Sequence, residues 1–144
     1  MSRSRYFTVR EAEAVLPDVE KAIRAALELK RFYVEAENVL HEEASRIQMS
    51  GGAMVNSARL AAEKSRRDTC ASQLRTAIER IHSYGCEVKD LDIGLIDFRT
   101  VYRGQEVYLC WKLGEQGITW WHGLEDGFRG RKPIDEDFLA NHSA

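Results

Sequence analysis

Proline, disulfide-forming cysteine, long apolar runs and excess charge of either sign are all scarce in this chain, and each shortage excludes something. With two prolines and no low-complexity stretch in 144 residues, disordered linkers are not expected and order should extend nearly throughout. Cys70, Cys86 and Cys110 are odd in number and form no CxxC pair, so neither a disulfide framework nor a zinc ribbon can be read, and reduced thiols are expected. No run of about 18 apolar residues occurs, and the opening MSRSRYFTVREAEAVLP has no apolar segment. Neither a membrane span nor a signal peptide is therefore expected, and the expected location is cytoplasmic. Basic residues number 21 against 23 acidic ones, a net charge of -2, which leaves no overall field to attract nucleic acid or an anionic membrane.

What is present fits one domain, expected over residues 1–144, because a chain of this length suits a single core. Thr8-Val9-Arg10-Glu11 is a capping-box pattern and marks a helix start. Pro17 predicts a break after a short leading helix, since it lacks a donor and crowds the preceding turn. Leu16, Val19, Ile23, Ala26, Tyr33, Leu40, Ala44 and Ile47 then recur at steps of three and four, the seam of a long helix to about Gln48. Gly51-Gly52 predicts a reversal, followed by a second helix from about Met54 to Tyr84 with Gly85 as its left-handed cap. The seam of that helix is Cys70, Leu74, Ala77, Ile81 and Tyr84. Residues 8–84 thus predict a long antiparallel helical hairpin. Its length, roughly 45 Å at 1.5 Å per residue, exceeds what a small sheet covers. A second copy would complete a four-helix bundle, so a homodimer through the hairpin is expected.

After Gly85 the texture changes to short apolar runs divided by glycines. Leu95 to Phe98, Val107 to Trp111 and Ile118 to His122 predict a three-stranded antiparallel meander within 85–133, and 134–144 reads as a tail with one helical turn near Asp135 to Leu139. The fold class expected is α+β. One strand parity sorts Ile96, Phe98, Val107, Leu109, Trp111, Thr119 and Trp121 to a core face. The same parity sends Asp97, Arg99, Tyr108, Cys110, Trp120 and His122 to the other face. That face offers donors and acceptors near aromatic walls, a capability for binding or catalysis, although an antiparallel sheet also commonly turns a mixed face to water.

Metal motifs are poor. The acidic stretch Asp90 to Gly94 lacks the donor spacing of a calcium loop. Glu79 to His82 has ExxH spacing without the second motif that a di-iron bundle requires. No metal ligand set is read, and no cofactor is implied. Cys110 with His122 would be the pair for thiol chemistry, against a bland reading as a buried, inert thiol. Arg129, Arg131 and Lys132 beside Phe128 form a small basic cluster able to hold a phosphate or carboxylate, or simply to be solvated.

The runs GCEVKDLDIGLIDF, GQEVYLCWKLGE and ITWWHGLEDGFRGRKPI, after FTVREAEAVLP, resemble an uncharacterised bacterial family catalogued as domain of unknown function 2203. Arg99 and Arg129 depart from its pattern. The resemblance carries no reaction, substrate or cofactor, but it implies that the distinctive residues belong to the sheet and its loops. The expected function is a dimeric binding or interaction protein, with Asp97, Tyr108, Cys110, Trp120, His122 and Arg131 lining a small polar and aromatic site for a small-molecule ligand. The alternative is a metal-assisted or thiol-dependent hydrolase using His122 with Asp97 or Cys110.

Overall fold

A computed structural model describes residues 5–49, 51 and 56–144. The class is α+β, with two helices packed together ahead of an antiparallel sheet. The first helix, α1, runs from Val9–Met49 and opens on the expected capping box: Glu11 N–H donates to Thr8 Oγ1 and Thr8 N–H to Glu11 Oε1, each at 3.1 Å. The break expected at Pro17 does not occur, and α1 passes through it as one element. Pro17 forfeits a single backbone bond, while Leu16, Val19 and Ile23 on either side are buried and hold the helical path. The second helix, α2, spans Ser57–Ser83, with Asn56 Oδ1 accepting the Arg59 N–H at 3.0 Å as its cap. The expected turn at Gly52 and helix start at Met54 lie outside the described residues. At the far end Gly85, at φ +98°, takes the left-handed position expected of it, and its N–H donates to the His82 carbonyl at 2.9 Å.

The chain divides into two compact units, residues 25–77 and the remainder. Within 25–77 the two helices run antiparallel and are linked by ion pairs, Arg66 to Glu35 at 3.1 Å, Arg67 to Glu37 at 3.7 Å and Arg59 to Glu43 at 3.1 Å. Few of the described side chains here are buried: Ala26, Ala36, Glu43 and Cys70. The expected seam drifts. Ala36 and Glu43 occupy the inner positions, Tyr33 and Leu40 are half-exposed and Ala44 is exposed, because a helix of 3.6 residues per turn rotates away from a pattern that repeats every 3.5.

The other unit holds the sheet. Its strands are β1 (Glu87–Asp90), β2 (Leu95–Tyr102), β3 (Gln105–Lys112), β4 (Trp120–Gly123), β5 (Lys132–Pro133) and β6 (His142–Ser143). They lie in the order β1-β2-β3-β4-β5, with β6 also paired to β2, all antiparallel. The expected meander is β2 to β4, and the shorter strands extend it. A two-residue turn at Arg103 and Gly104, both at positive φ, joins β2 to β3. In the tail, where one helical turn near Asp135 to Leu139 is expected, lies a short helix, α3 (Glu136–Asn141), capped by Asp135 Oδ1 accepting from Phe138 N–H at 2.8 Å. His142 beyond it accepts the Val9 N–H at 3.0 Å and so completes the start of α1.

The strand parity is as read. Ile96 pairs with Trp111, Phe98 with Leu109 and Leu109 with Trp121, and this face packs with Phe7, Ile23, Ile81 and Phe138 as buried core. Thr119 is the exception: β4 begins at Trp120, so alternation does not reach back, and Ile118 is buried while Thr119 is exposed.

Candidate functional site

The second face of the sheet follows from the same register. Asp97 lies opposite Cys110, Arg99 opposite Tyr108, Tyr108 opposite His122 and Cys110 opposite Trp120. Cross-strand neighbours on one face stand about 5 Å apart, so pairing alone brings the carboxylate, thiol and imidazole together. The closest ligand-type atoms of Asp97, Cys110 and His122 lie within 4.8 Å of one another. His122 Nε2 is 3.1 Å from Asp97 Oδ2, and the Tyr108 and His122 rings are 5.4 Å apart between centroids.

This face is not the open, wet surface of an ordinary antiparallel sheet. Asp97 is 1% exposed, Cys110 0% and His122 3%. The cover comes from outside the meander. Lys89 of β1 places Nζ 4.8 Å from the Tyr108 ring, and Arg131 lays its guanidinium 4.9 Å from the rings of both Trp120 and Phe128. Arg131 is anchored by Glu115, whose two carboxylate oxygens each accept from its Nη2 at 2.8 Å. Two cations thus stand over the face that holds the buried cluster.

Two polar atoms remain unmatched. Asp97 Oδ1 and Arg131 Nε are buried with no hydrogen-bond partner among the described residues. A stranded carboxylate oxygen costs on the order of 1–3 kcal/mol, which is why such atoms are rare in settled cores.

The electrostatics separate the roles of thiol and imidazole. Burial pushes the Cys110 thiol up to about 12, and the adjacent Asp97 charge pushes in the same direction. Such a thiol stays protonated at neutral pH, which argues against Cys110 as a nucleophile in this state. Burial pulls the His122 imidazole down, but the bonds to Asp97 and to the Gly123 carbonyl outweigh it and hold the group above its ordinary value.

The remaining candidates disperse. Arg131 turns inward, Lys132 lies 4.8 Å from the Trp121 ring and Arg129 is exposed, so the three cations do not form one anion cradle. Arg99 is held by Glu87 at 3.1 Å and Glu106 at 3.2 Å. His82 accepts the Val88 N–H at 3.4 Å, a structural contact. Cys86 is buried, with Sγ donating to the Ile81 carbonyl at 3.4 Å, and burial pushes its pKa to about 12. The roles of Lys89 and Glu115 escaped sequence reading. Their positions beside strand ends carry no alternation signal, although the pairing of Glu115 with Arg131 across 16 residues is of the kind a turn ahead of β4 permits.

Fold and site together define an α+β protein whose sheet packs its core on one face and carries on the other a buried Asp, Cys and His cluster among half-exposed residues such as Arg99 and Trp120. The chain belongs to the family described as Uncharacterized conserved protein (DUF2203), whose profile matches residues 5–134. Neither the curated proteins nor the solved structures contain a match. Among the described residues, no helix is long and apolar enough to cross a membrane.

Proposed function

We propose that the protein is a dimeric binding protein whose site is the buried cluster around Asp97, Cys110 and His122, with Tyr108, Trp120 and Arg131 as its walls. The observation that carries this reading is Asp97 Oδ1, a buried acceptor with no partner in hydrogen-bonding geometry among the described residues, on a carboxylate grouped within 4.8 Å with the Cys110 thiol and the His122 imidazole. Stability alone would be served as well by replacing the buried Asp97 and His122 pair together with apolar side chains of similar volume. Retaining it fits a site that is completed by something bound.

Assembly is assigned to the helices of residues 25–77. That unit buries few apolar side chains of its own, and Val34 is 43% exposed, so packing against a second copy supplies what the isolated hairpin lacks. Light scattering on dilute protein is expected to give twice the 16.5 kDa chain mass. A mass near that of one chain would remove the dimer.

Binding itself is tested by native mass spectrometry of the complete protein together with thermal melts against a panel of metal ions and small organic anions. A bound species or a raised melting point that His122→Ala abolishes is expected. A chain that carries nothing and responds to no member of the panel overturns the reading. The hydrolase alternative requires turnover, and the high pKa of the Cys110 thiol leaves its metal-assisted version as the one to assay.

A further inference from the structure

We propose that Asp97, Cys110 and His122 are the protein ligands of one divalent transition-metal ion of the zinc type. This inference rests on the reading that the cluster is a binding site, and it names what the site binds.

The first support is the orientation of His122. Its Nδ1 lies 2.7 Å from the Gly123 carbonyl oxygen, which can only accept, so Nδ1 carries a hydrogen and donates it. In the neutral ring Nε2 then presents a lone pair, and it presents it to Asp97 Oδ2 at 3.1 Å, another acceptor. Two acceptors at that separation need a cation between them, either a proton or a metal. A ring that donates one N–H to a backbone carbonyl and directs its other nitrogen inward is the arrangement that fixes metal-ligating histidines.

The second support is the composition of the cluster. One oxygen, one nitrogen and one sulfur ligand suit zinc or cobalt, while a thiolate disfavours magnesium and calcium. The charges also match: on binding, the Cys110 thiol releases its proton to solvent, and the divalent cation neutralises the resulting thiolate and the Asp97 carboxylate. The buried group as a whole would then be uncharged, and a desolvated neutral cluster is far cheaper than a lone desolvated ion.

The third support is space. Bonds of about 2.0–2.3 Å from zinc to these atoms give ligand separations near 3.5 Å in a tetrahedron. The three atoms now lie within 4.8 Å, so side-chain movements of about 1 Å close the site. Three protein ligands leave one position of a tetrahedron for water or a further ligand.

Cobalt(II), added alone to the complete metal-stripped protein, tests this directly. The expected result is one equivalent per chain, visible bands of tetrahedral cobalt and a near-ultraviolet thiolate-to-cobalt band, all bleached by zinc. Cys110→Ser should lose the thiolate band, and His122→Gln should weaken binding at least tenfold. A wild-type spectrum without the thiolate band, or no cobalt binding, overturns the proposal, and this readout needs no variant to fold. If organic anions stabilise the protein through His122 while cobalt and zinc do not, the metal is refuted and the binding site stands. If nothing binds, both fail.

Discussion

Asp97 and His122 are hydrogen-bonded across a strand that belongs to neither. They sit on β2 and β4, and the 3.1 Å bond passes over β3 at the level of Cys110 and Tyr108. Neighbouring strands are about 4.8 Å apart, so the two side chains together reach across two such gaps. The bond ties the meander crosswise on the face opposite the core.

Breaking that tie should be costly. Replacing His122 by alanine in the metal-free protein strands a buried carboxylate and is expected to reduce unfolding free energy by about 3–5 kcal/mol. Asp97→Asn should cost less, and the double variant should recover part of the loss. Urea denaturation of the four proteins gives the coupling; strictly additive losses would show that the pair does not interact.

The pH dependence of the metal-free protein follows from His122. Its folded pKa is raised above the ordinary value of 6.5. The stabilisation is therefore fully present below about 6.5 and is lost as pH rises through the higher folded value. Proton NMR should show the imidazole titrating above 6.5, and the loss of stability over that window should vanish in His122→Gln. Titration below 6.5 would contradict this.

Both sheet-side thiols should be silent in the native state. Cys86 and Cys110 are buried with pKa values pushed to about 12, so alkylation at neutral pH is expected to require unfolding. Mass spectrometry after brief iodoacetamide treatment decides it, and modification of either thiol in folded protein would contradict the burial described.

Two glycines differ in why they are needed. Gly94 has φ +66°, and a Cβ there would stand 2.5 Å from Leu113 Cβ, whereas Gly104 at φ +77° has open space around it. Gly94→Ala is expected to cost more than 2 kcal/mol, and Gly104→Ala about 1 kcal/mol from backbone conformation alone. Equal losses would mean that packing at Leu113 yields.

Pro17→Ala should stabilise the protein, by up to about 3 kcal/mol, because the helix already runs through this position and alanine restores the missing bond. A destabilised variant would show that the proline's packing or its restriction of the unfolded chain outweighs that bond.

What was legible in the sequence is what local rules govern. Alternation along Leu95 to Trp111 identified which residues share a face, and the capping box and Gly85 marked helix ends. Burial of the second face was not legible, because Lys89, Glu115 and Arg131 reach it from turns and edge strands whose docking no periodicity encodes. The continuous helix at Pro17 was missed for a related reason: the penalty of one lost bond is local, while the burial of Leu16, Val19 and Ile23 that overrides it is tertiary. Asp97, Cys110 and His122, 12 to 25 positions apart, were named together from strand parity and register as lining one site; what no local rule supplied is how deeply they are buried.

The bond from Val9 N–H to His142 has a temporal side. The opening turn of the first helix is completed by a ring 133 residues downstream, and β6 beside it pairs with β2. The Val9 amide can be satisfied by that ring only once residue 142 has been made, so β6 and the ring beside it act as a late clasp on the start of α1.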